Sequence, residues 1–338
     1  MKTTITAPVK QQIERAYFEY RRACYYIIFR HASERGLIEC LKSGMTFDQL
    51  IAELKVLPKR TKALELFLRA LIRFGGIRYD EGSKKYFEVP EFTKKGIVFD
   101  RDLIAQAIGK DKIDSVIHSD SYKGILDTLG QEENKVAADF VANNMALWDE
   151  FLQQPFYAYG RRHAVANIVG DGDKLLDMAC GLGYGLLELR EAVGDKGEIV
   201  GLEFSPDFAA EAIKRVADYR NIACIRSDVD DGLSFLCDSY FDGAMIIGAF
   251  HFLKRKADLF SNVRRVLRKG GRFVVGYAYL NMGTYDQELM DLRFMLREPP
   301  AAPMYPTTLL SNAERAGFKH ISSVGTIGCF GWYLFEKP

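Results

Sequence analysis

Three acidic residues close three apolar runs in the second half of the chain: Asp177 in LLDMACGLGYG, Glu203 in EIVGLEF and Asp228 in IACIRSD. Apolar runs of this length, separated by stretches of helical periodicity, read as strands of a parallel sheet. The three carboxylates then lie at one edge of that sheet, where ligands sit in open α/β folds. Glycines follow the first acid at 181, 183 and 185. A dinucleotide fingerprint needs G-x-G-x-x-G, and Leu186 stands where its third glycine would be. A phosphate loop fails more plainly, because no Lys-Ser or Lys-Thr follows the glycines. A carboxylate facing this turn would repel a pyrophosphate and suit a cationic ligand. Glu203 lies 22 residues after Gly181, a place from which a carboxylate accepts both hydroxyls of a ribose. Asp228 is placed to accept from an adenine amino group.

The elements that must hold these groups follow from the same pattern. From residue 174 onward, strands alternate with helices: KLLDMA, a helix to Val193, EIVGLEF, a helix to Tyr219, IACIRSD, FDGAMIIGAF, a helix to Leu267, and RFVVGYAYL. This alternation predicts a parallel sheet with helices on both faces. A helix over Leu309 to Ala316 leads to FKHISSVG and GCFGWYLFEK, which read as an antiparallel pair closing the sheet. Residues 11 to 43 have the spacing of a helix. Thr46 followed by Gln49 is a capping box opening a short amphipathic one. KRTKALELFLRALIRF carries Leu64, Phe67, Leu68, Leu71 and Ile72 on one face and stops at Gly75 and Gly76. GIRYDEGSKKYFEV then reads as a hairpin. Three helices and a hairpin in this order make a winged helix. Between the halves, residues 97 to 165 read as connecting helices, clearest over Arg101 to Ile108 and Lys135 to Phe151, with Gly124 and Gly130 between them.

Composition narrows the function classes. The 338 residues are 48% hydrophobic and 27% charged, as in a soluble globular protein, and the net charge of +1 gives no overall pull toward nucleic acid. Six scattered cysteines form no CxxC pair and read as reduced thiols; neither a disulfide framework nor a metal site is expected. The first 22 residues contain no signal-peptide core, and the longest uncharged apolar run, GAMIIGAFHFL, has 11 residues, too few to span a bilayer. A cytoplasmic location is expected.

With the acids, the glycine turn, FDGAMIIGAFHF, RRVLRKGGRFVV and the late strand pair in place, residues 165 to 338 resemble the class I S-adenosylmethionine-dependent methyltransferases. The resemblance implies S-adenosyl-L-methionine as cofactor, held by Asp177, Ala179, Gly181, Gly183, Glu203, Phe204, Asp228, Val229 and Gly248. Ala179 stands where that family usually has glycine. The N-terminal half is similar to that of two-domain small-molecule O-methyltransferases. The implied organisation is a winged-helix dimerisation domain over 1–96, connecting helices over 97–165 that cover the active site, and a Rossmann-like seven-stranded methyltransferase domain over 166–338. A homodimer is expected, with neither nucleic acid nor membrane as partner.

Methyl transfer from a sulfonium is an in-line displacement that needs a base only if the acceptor is protonated. His251, just after the fourth strand, resembles the catalytic histidine of plant-type O-methyltransferases. Its context here is His-Phe-Leu, and residues 273 to 279 lack the glutamate that orients that histidine. It reads equally as a base or a pocket wall. Tyr157, Tyr277, Tyr279, Asn281 and Arg293 are candidate substrate-lining residues; the resemblance also implies that Tyr157, Tyr159 or Arg161 touches the methionine end of the cofactor, while Arg161 and Arg162 read first as solvated surface. The competing use of the N-terminal half is DNA binding: residues 1 to 100 hold 19 Lys/Arg against 12 Asp/Glu, and Lys59, Arg60 and Lys62 open the would-be recognition helix. The apolar run from Leu64 to Phe74 argues instead for a dimer or core element. The expected reaction is methylation of a hydroxyl on an aromatic or polyketide-like metabolite. Carbon or nitrogen methylation, a non-methylating relative or a cofactor-sensing regulator are the alternatives.

Overall fold

A computed structural model of the chain describes residues 7–95, 97–113, 125–132, 145–281, 283–284, 286–296 and 305–338. It divides into two compact units, one of Met1–Lys10, Met145–Met282 and Ala302–Pro338, the other of Gln11–Asn144 and Gly283–Ala301.

The first unit is a seven-stranded sheet. Its strands are β4 (Lys174–Met178), β5 (Glu198–Glu203), β6 (Ile222–Arg226), β7 (Phe241–Ile247), β8 (Leu267–Tyr279), β9 (Lys319–Gly325) and β10 (Phe330–Glu336), in the order β6-β5-β4-β7-β8-β10-β9. The first five in that order run parallel, and β10 pairs antiparallel with both β8 and β9. Successive residues on a strand feed opposite layers, as the pleat requires. Leu175, Ile199, Met245 and Val274 pack with α9 (Pro155–Ile168), α10 (Tyr184–Val193) and α11 (Pro206–Arg215). Their neighbours Leu176, Val200, Ile246 and Val275 pack with α12 (Lys256–Val266) and α14 (Pro306–Arg315). Ahead of this core, α8 (Met145–Gln153) leads through Gln154 and Pro155 into α9. Of the helix expected over Lys135 to Phe151, residues 135–144 lie outside the described residues, as does Gly124.

In the second unit, α1 (Ala7–Glu34, which starts in the first unit) is followed by α2 (Leu37–Cys40), the short strand β1 (Met45–Thr46), α3 (Phe47–Glu53), α4 (Thr61–Phe74), the hairpin of β2 (Ile77–Asp80) and β3 (Lys85–Glu88), α5 (Pro90–Lys95), the expected helix α6 (Arg101–Ile108) and α7 (Ile125–Leu129). The sheet order is β1-β3-β2, so the expected hairpin is joined by β1, a third strand that sequence spacing did not reveal. The long helix expected over 11–43 breaks at Gly36, whose left-handed backbone (φ 77°) starts α2. Both hydrogen bonds of the Thr46–Gln49 capping box are formed. The apolar face of α4 is spent inside this unit: Leu64, Phe67, Leu68 and Leu71 are fully buried. Part of its cover comes from a distant segment, α13 (Gln287–Leu296), whose Leu289 and Leu292 join the same core, while Glu288 pairs with Arg73 at 2.8 Å. Among the described residues no helix is long and apolar enough to cross a membrane.

Candidate functional site

The glycine turn is built by backbone that few side chains tolerate. After β4 the chain passes through Ala179 (φ 56°), Gly181 (φ 59°) and Gly183 (φ 84°) before α10 begins. A Cβ on Gly183 would lie 3.2 Å from Ala212, so that glycine lets α11 approach the turn. Ala179 holds the same left-handed conformation with a Cβ, at a cost of about 1–2 kcal/mol. The third glycine serves the protein itself: a Cβ on Gly185 would sit 2.5 Å from the Asp177 carboxylate, which packs onto the first turn of α10. Asp177 is buried, and burial pushes its carboxyl well above the ordinary range, with Arg161 opposing the shift.

Glu203 at the end of β5 braces this turn. One carboxylate oxygen accepts from the Gly181 N–H and the other from the Ser205 N–H, both at 2.9 Å. Burial raises its pKa, against the backbone donors that favour the ionised form. Asp228 differs from the other two acids in being exposed, and it accepts from the Asp230 N–H at 2.9 Å to cap the turn that follows β6. The three are nevertheless neighbours, since the Asp228 charge contributes to the raised Glu203 pKa and Glu203 to that of Asp177. Phe204 projects at 56% exposure beside them, and Val229 is buried behind Asp228.

A second group of residues gathers where β7 and β8 end. Gly248 (φ 72°) has the Tyr157 hydroxyl against it, where a Cβ would be 1.8 Å from that oxygen. The Tyr157 ring lies 5.0 Å from Phe151 and 4.7 Å from Tyr277, and burial pushes its phenol pKa up. Tyr277 sits at an irregularity in the β8–β10 pairing with φ 59°, its ring stacked on Phe330 at 4.0 Å. A β-sheet tyrosine in left-handed backbone is strained, and strain of this kind gathers at functional sites. His251 occupies the short turn Phe250–Phe252, buried, its ring 3.8 Å from that of Phe252. The remaining candidates scatter. Tyr279 is buried in the sheet, its carbonyl accepting from the Tyr333 hydroxyl at 2.7 Å. Asn281 is exposed and donates to the Gly328 carbonyl. Arg293 lies on α13 in the second unit.

Arg161 corrects a reading made from sequence. It is buried, not a surface group: its guanidinium grips Glu188 of α10 through two bonds of 2.7 and 2.8 Å and donates to the Leu152 carbonyl. Arg162 is the exposed member of the pair and reaches the same glutamate at 3.2 Å. A second brace was missed altogether. Asp149 of α8 accepts from the Tyr184 hydroxyl at 2.8 Å and from Arg215 at 3.0 Å, and Arg215 also donates to the Leu182 carbonyl inside the turn. The Arg215 guanidinium stacks over the Tyr184 ring at 4.0 Å. These bonds tie α8 to the glycine turn, with Leu152 3.9 Å from the place a Gly181 Cβ would take.

Strand order, glycine turn and strand-end acids together form a core similar in fold to that of class I S-adenosylmethionine-dependent methyltransferases. Residues 175–271 match the family model described as "Methyltransferase domain", and the chain carries that domain. Among curated proteins it is similar to a demethylmenaquinone methyltransferase of Staphylococcus epidermidis, 31% identical over 115 residues, covering 34% of this chain and 47% of that one. Another demethylmenaquinone methyltransferase, from Desulfitobacterium hafniense, is 28% identical over 169 residues, covering 43% and 64%. The chain thus spans less than half the length of the first of these relatives. Its fold matches along nearly its whole length a crystal structure of the CurJ carbon methyltransferase (TM-score 0.66, 14% identity, 98% of this chain and 96% of that one). It also matches the DszA carbon methyltransferase (TM-score 0.64, 12% identity, 95% and 90%).

The residues present fit S-adenosylmethionine. Each Glu203 oxygen keeps a lone pair beyond the backbone bond it accepts, enough for two ribose hydroxyls. Asp228 and Phe204 are exposed beside it.

Proposed function

We propose that the chain transfers a methyl group from S-adenosylmethionine to a small-molecule acceptor, and that the acceptor atom is a carbon. The observation that carries the cofactor reading is the Glu203 carboxylate, fixed by the Gly181 and Ser205 N–H groups at the end of β5. The bound cofactor supplies an electrophilic methyl on a sulfonium. The protein's part is to hold donor and acceptor in line and exclude water. Phe151, Tyr157, Tyr277 and Phe330 offer an apolar, aromatic wall for the acceptor. The carbon reading is supported by the names of the two full-length structural neighbours.

A hydroxyl acceptor is the second reading, favoured by His251 itself, a buried imidazole three residues past Gly248. The winged-helix unit supports a small-molecule enzyme over a duplex reader: the apolar face of α4 lies in its own core, Arg60 is buried, and Lys59 and Lys62 pair with Glu132 and Glu65. That burial also removes the α4 face as an argument for dimerisation, so the homodimer rests on the resemblance of the N-terminal half. The test is incubation with S-adenosylmethionine and a panel of phenols and 1,3-dicarbonyl carbon acids, with products read by mass and NMR. A C-methyl product supports the proposal. An O-methyl product favours the second reading, and cofactor binding with no methyl release across the panel would count against both.

A further inference from the structure

The sheet brings two thiols together beside the glycine turn. Cys180, just past β4, and Cys224, on the edge strand β6, have their sulfurs 3.8 Å apart although 44 residues and the whole of β5 separate them in sequence. The contact depends on Gly201. It pairs with Asp177 of β4 on one side and with Cys224 of β6 on the other. A Cβ there would lie 3.0 Å from the Cys180 sulfur and 2.8 Å from Leu186. With no side chain on β5 at that point, thiols from strands on either side of it meet above the sheet. Cys180 is buried, whereas Cys224 is partly exposed between the exposed residues Ala223 and Ile225, so a small oxidant reaches the pair from the sheet edge.

We infer that Cys180 and Cys224 form a peroxide-responsive dithiol that controls cofactor binding at the neighbouring turn. The control half of this inference rests on the cofactor reading above; the oxidation half does not. The Cys224 thiolate attacks one peroxide oxygen, giving a sulfenic acid and hydroxide, which takes up the proton lost from the thiol to become water. The Cys180 thiol then attacks the Cys224 sulfur and expels the sulfenic oxygen, with the thiol proton, as water, forming the disulfide, so the pair is oxidised by two electrons and the peroxide reduced to two waters. The contact with Cys180 holds the Cys224 thiol's pKa below its usual value, and Cys224 is the more exposed of the two, which favours it as the first to react. A disulfide needs the sulfurs at about 2.05 Å, so bond formation draws Cys180 toward β6. The Cys180 N–H is bonded to the Leu202 carbonyl, and the next N–H, of Gly181, to Glu203. Movement of Cys180 therefore loads the bond that sets the ribose-binding carboxylate.

The experiment treats the full chain with hydrogen peroxide, alkylates remaining thiols and maps linked peptides by mass. Calorimetric titration with S-adenosylhomocysteine runs before oxidation, after it and after dithiothreitol. The expected result is a Cys180–Cys224 link, a loss of affinity of about tenfold and recovery on reduction. Cys224→Ser and Cys224→Ala should bind like the reduced wild type and keep that affinity through peroxide. No 180–224 link, or links only through exposed Cys237, would overturn the inference; so would a 180–224 link that leaves affinity unchanged. Reduced wild type that fails to bind S-adenosylhomocysteine overturns the cofactor reading instead, and the peptide map still decides whether the dithiol oxidises.

Discussion

Replacing Glu203 by glutamine tests the brace and the ribose site together. The carboxylate accepts two backbone N–H groups at 2.9 Å, one on each oxygen. Glutamine offers one acceptor oxygen and an NH2 group, so whichever way the amide turns, the N–H of Gly181 or of Ser205 faces another donor. A buried donor left unmet costs about 1–3 kcal/mol. Removing the charge also relieves Asp177, but that repulsion is minor beside the burial of Asp177 itself, so the net change is a loss. In a domain of this size each kcal/mol lowers the melting temperature by about 2–4 °C. One ribose hydroxyl loses its acceptor as well, which costs about 1–3 kcal/mol of binding, or a complex weaker by about five- to 150-fold. Thermal unfolding of the ligand-free Glu203→Gln variant and calorimetric titration with S-adenosylhomocysteine measure the two effects separately. Wild-type melting and wild-type affinity together would refute both roles. A lowered melting temperature with unchanged affinity would leave Glu203 as a brace only.

Asp177→Asn should stabilise the ligand-free protein at pH 7 while weakening cofactor binding. Burial raises the Asp177 pKa in the folded state, so the wild type loses stability as pH climbs from the ordinary carboxylate range near 4 through that raised value; the variant's advantage in melting temperature should shrink toward zero as pH falls to 4, and an advantage that grows on acidification would contradict this. Tyr184→Phe removes the hydroxyl bond to Asp149 that ties α8 to the turn, worth about 1 kcal/mol, and should speed S-adenosylhomocysteine dissociation about fivefold in stopped flow. Ala179→Gly relieves a left-handed alanine at the cost of a freer unfolded chain, so denaturant unfolding should show a change between zero and about 1 kcal/mol in the stabilising direction. His251→Asn should retain single-turnover methyl transfer within about threefold if the acceptor is carbon, whereas a drop of about 10²–10⁴-fold would assign it as a base for a hydroxyl.

The turn and its acids were legible because each feature is local. Strand, glycines and acid follow one another within a dozen residues, and Glu203 repeats the arrangement one strand later. What sequence could not show depends on chain segments meeting from afar. Asp149, Tyr184 and Arg215 are drawn from three helices, so no spacing announces that they share a bond network. Arg161 and Arg162 look alike in sequence, and only the position of Glu188, 26 and 27 residues on, decides that the first is buried and the second exposed. β1 has two residues, too few to show alternation, and exists only through its pairing with β3. Helix α13 follows β8 in the chain, yet its apolar residues complete the core of the N-terminal unit. Gly201, which reads as an unremarkable strand glycine, acquires meaning only when the strands on both sides are placed.

Whether Glu203 and the glycine turn hold S-adenosylmethionine is decided by a crystal structure of the complex with S-adenosylhomocysteine. Both ribose hydroxyls should lie within hydrogen-bond distance of the Glu203 carboxylate, with the adenine beside Asp228 and Phe204. A nucleoside bound elsewhere, or a Glu203 carboxylate that makes no contact with the ribose, would contradict it.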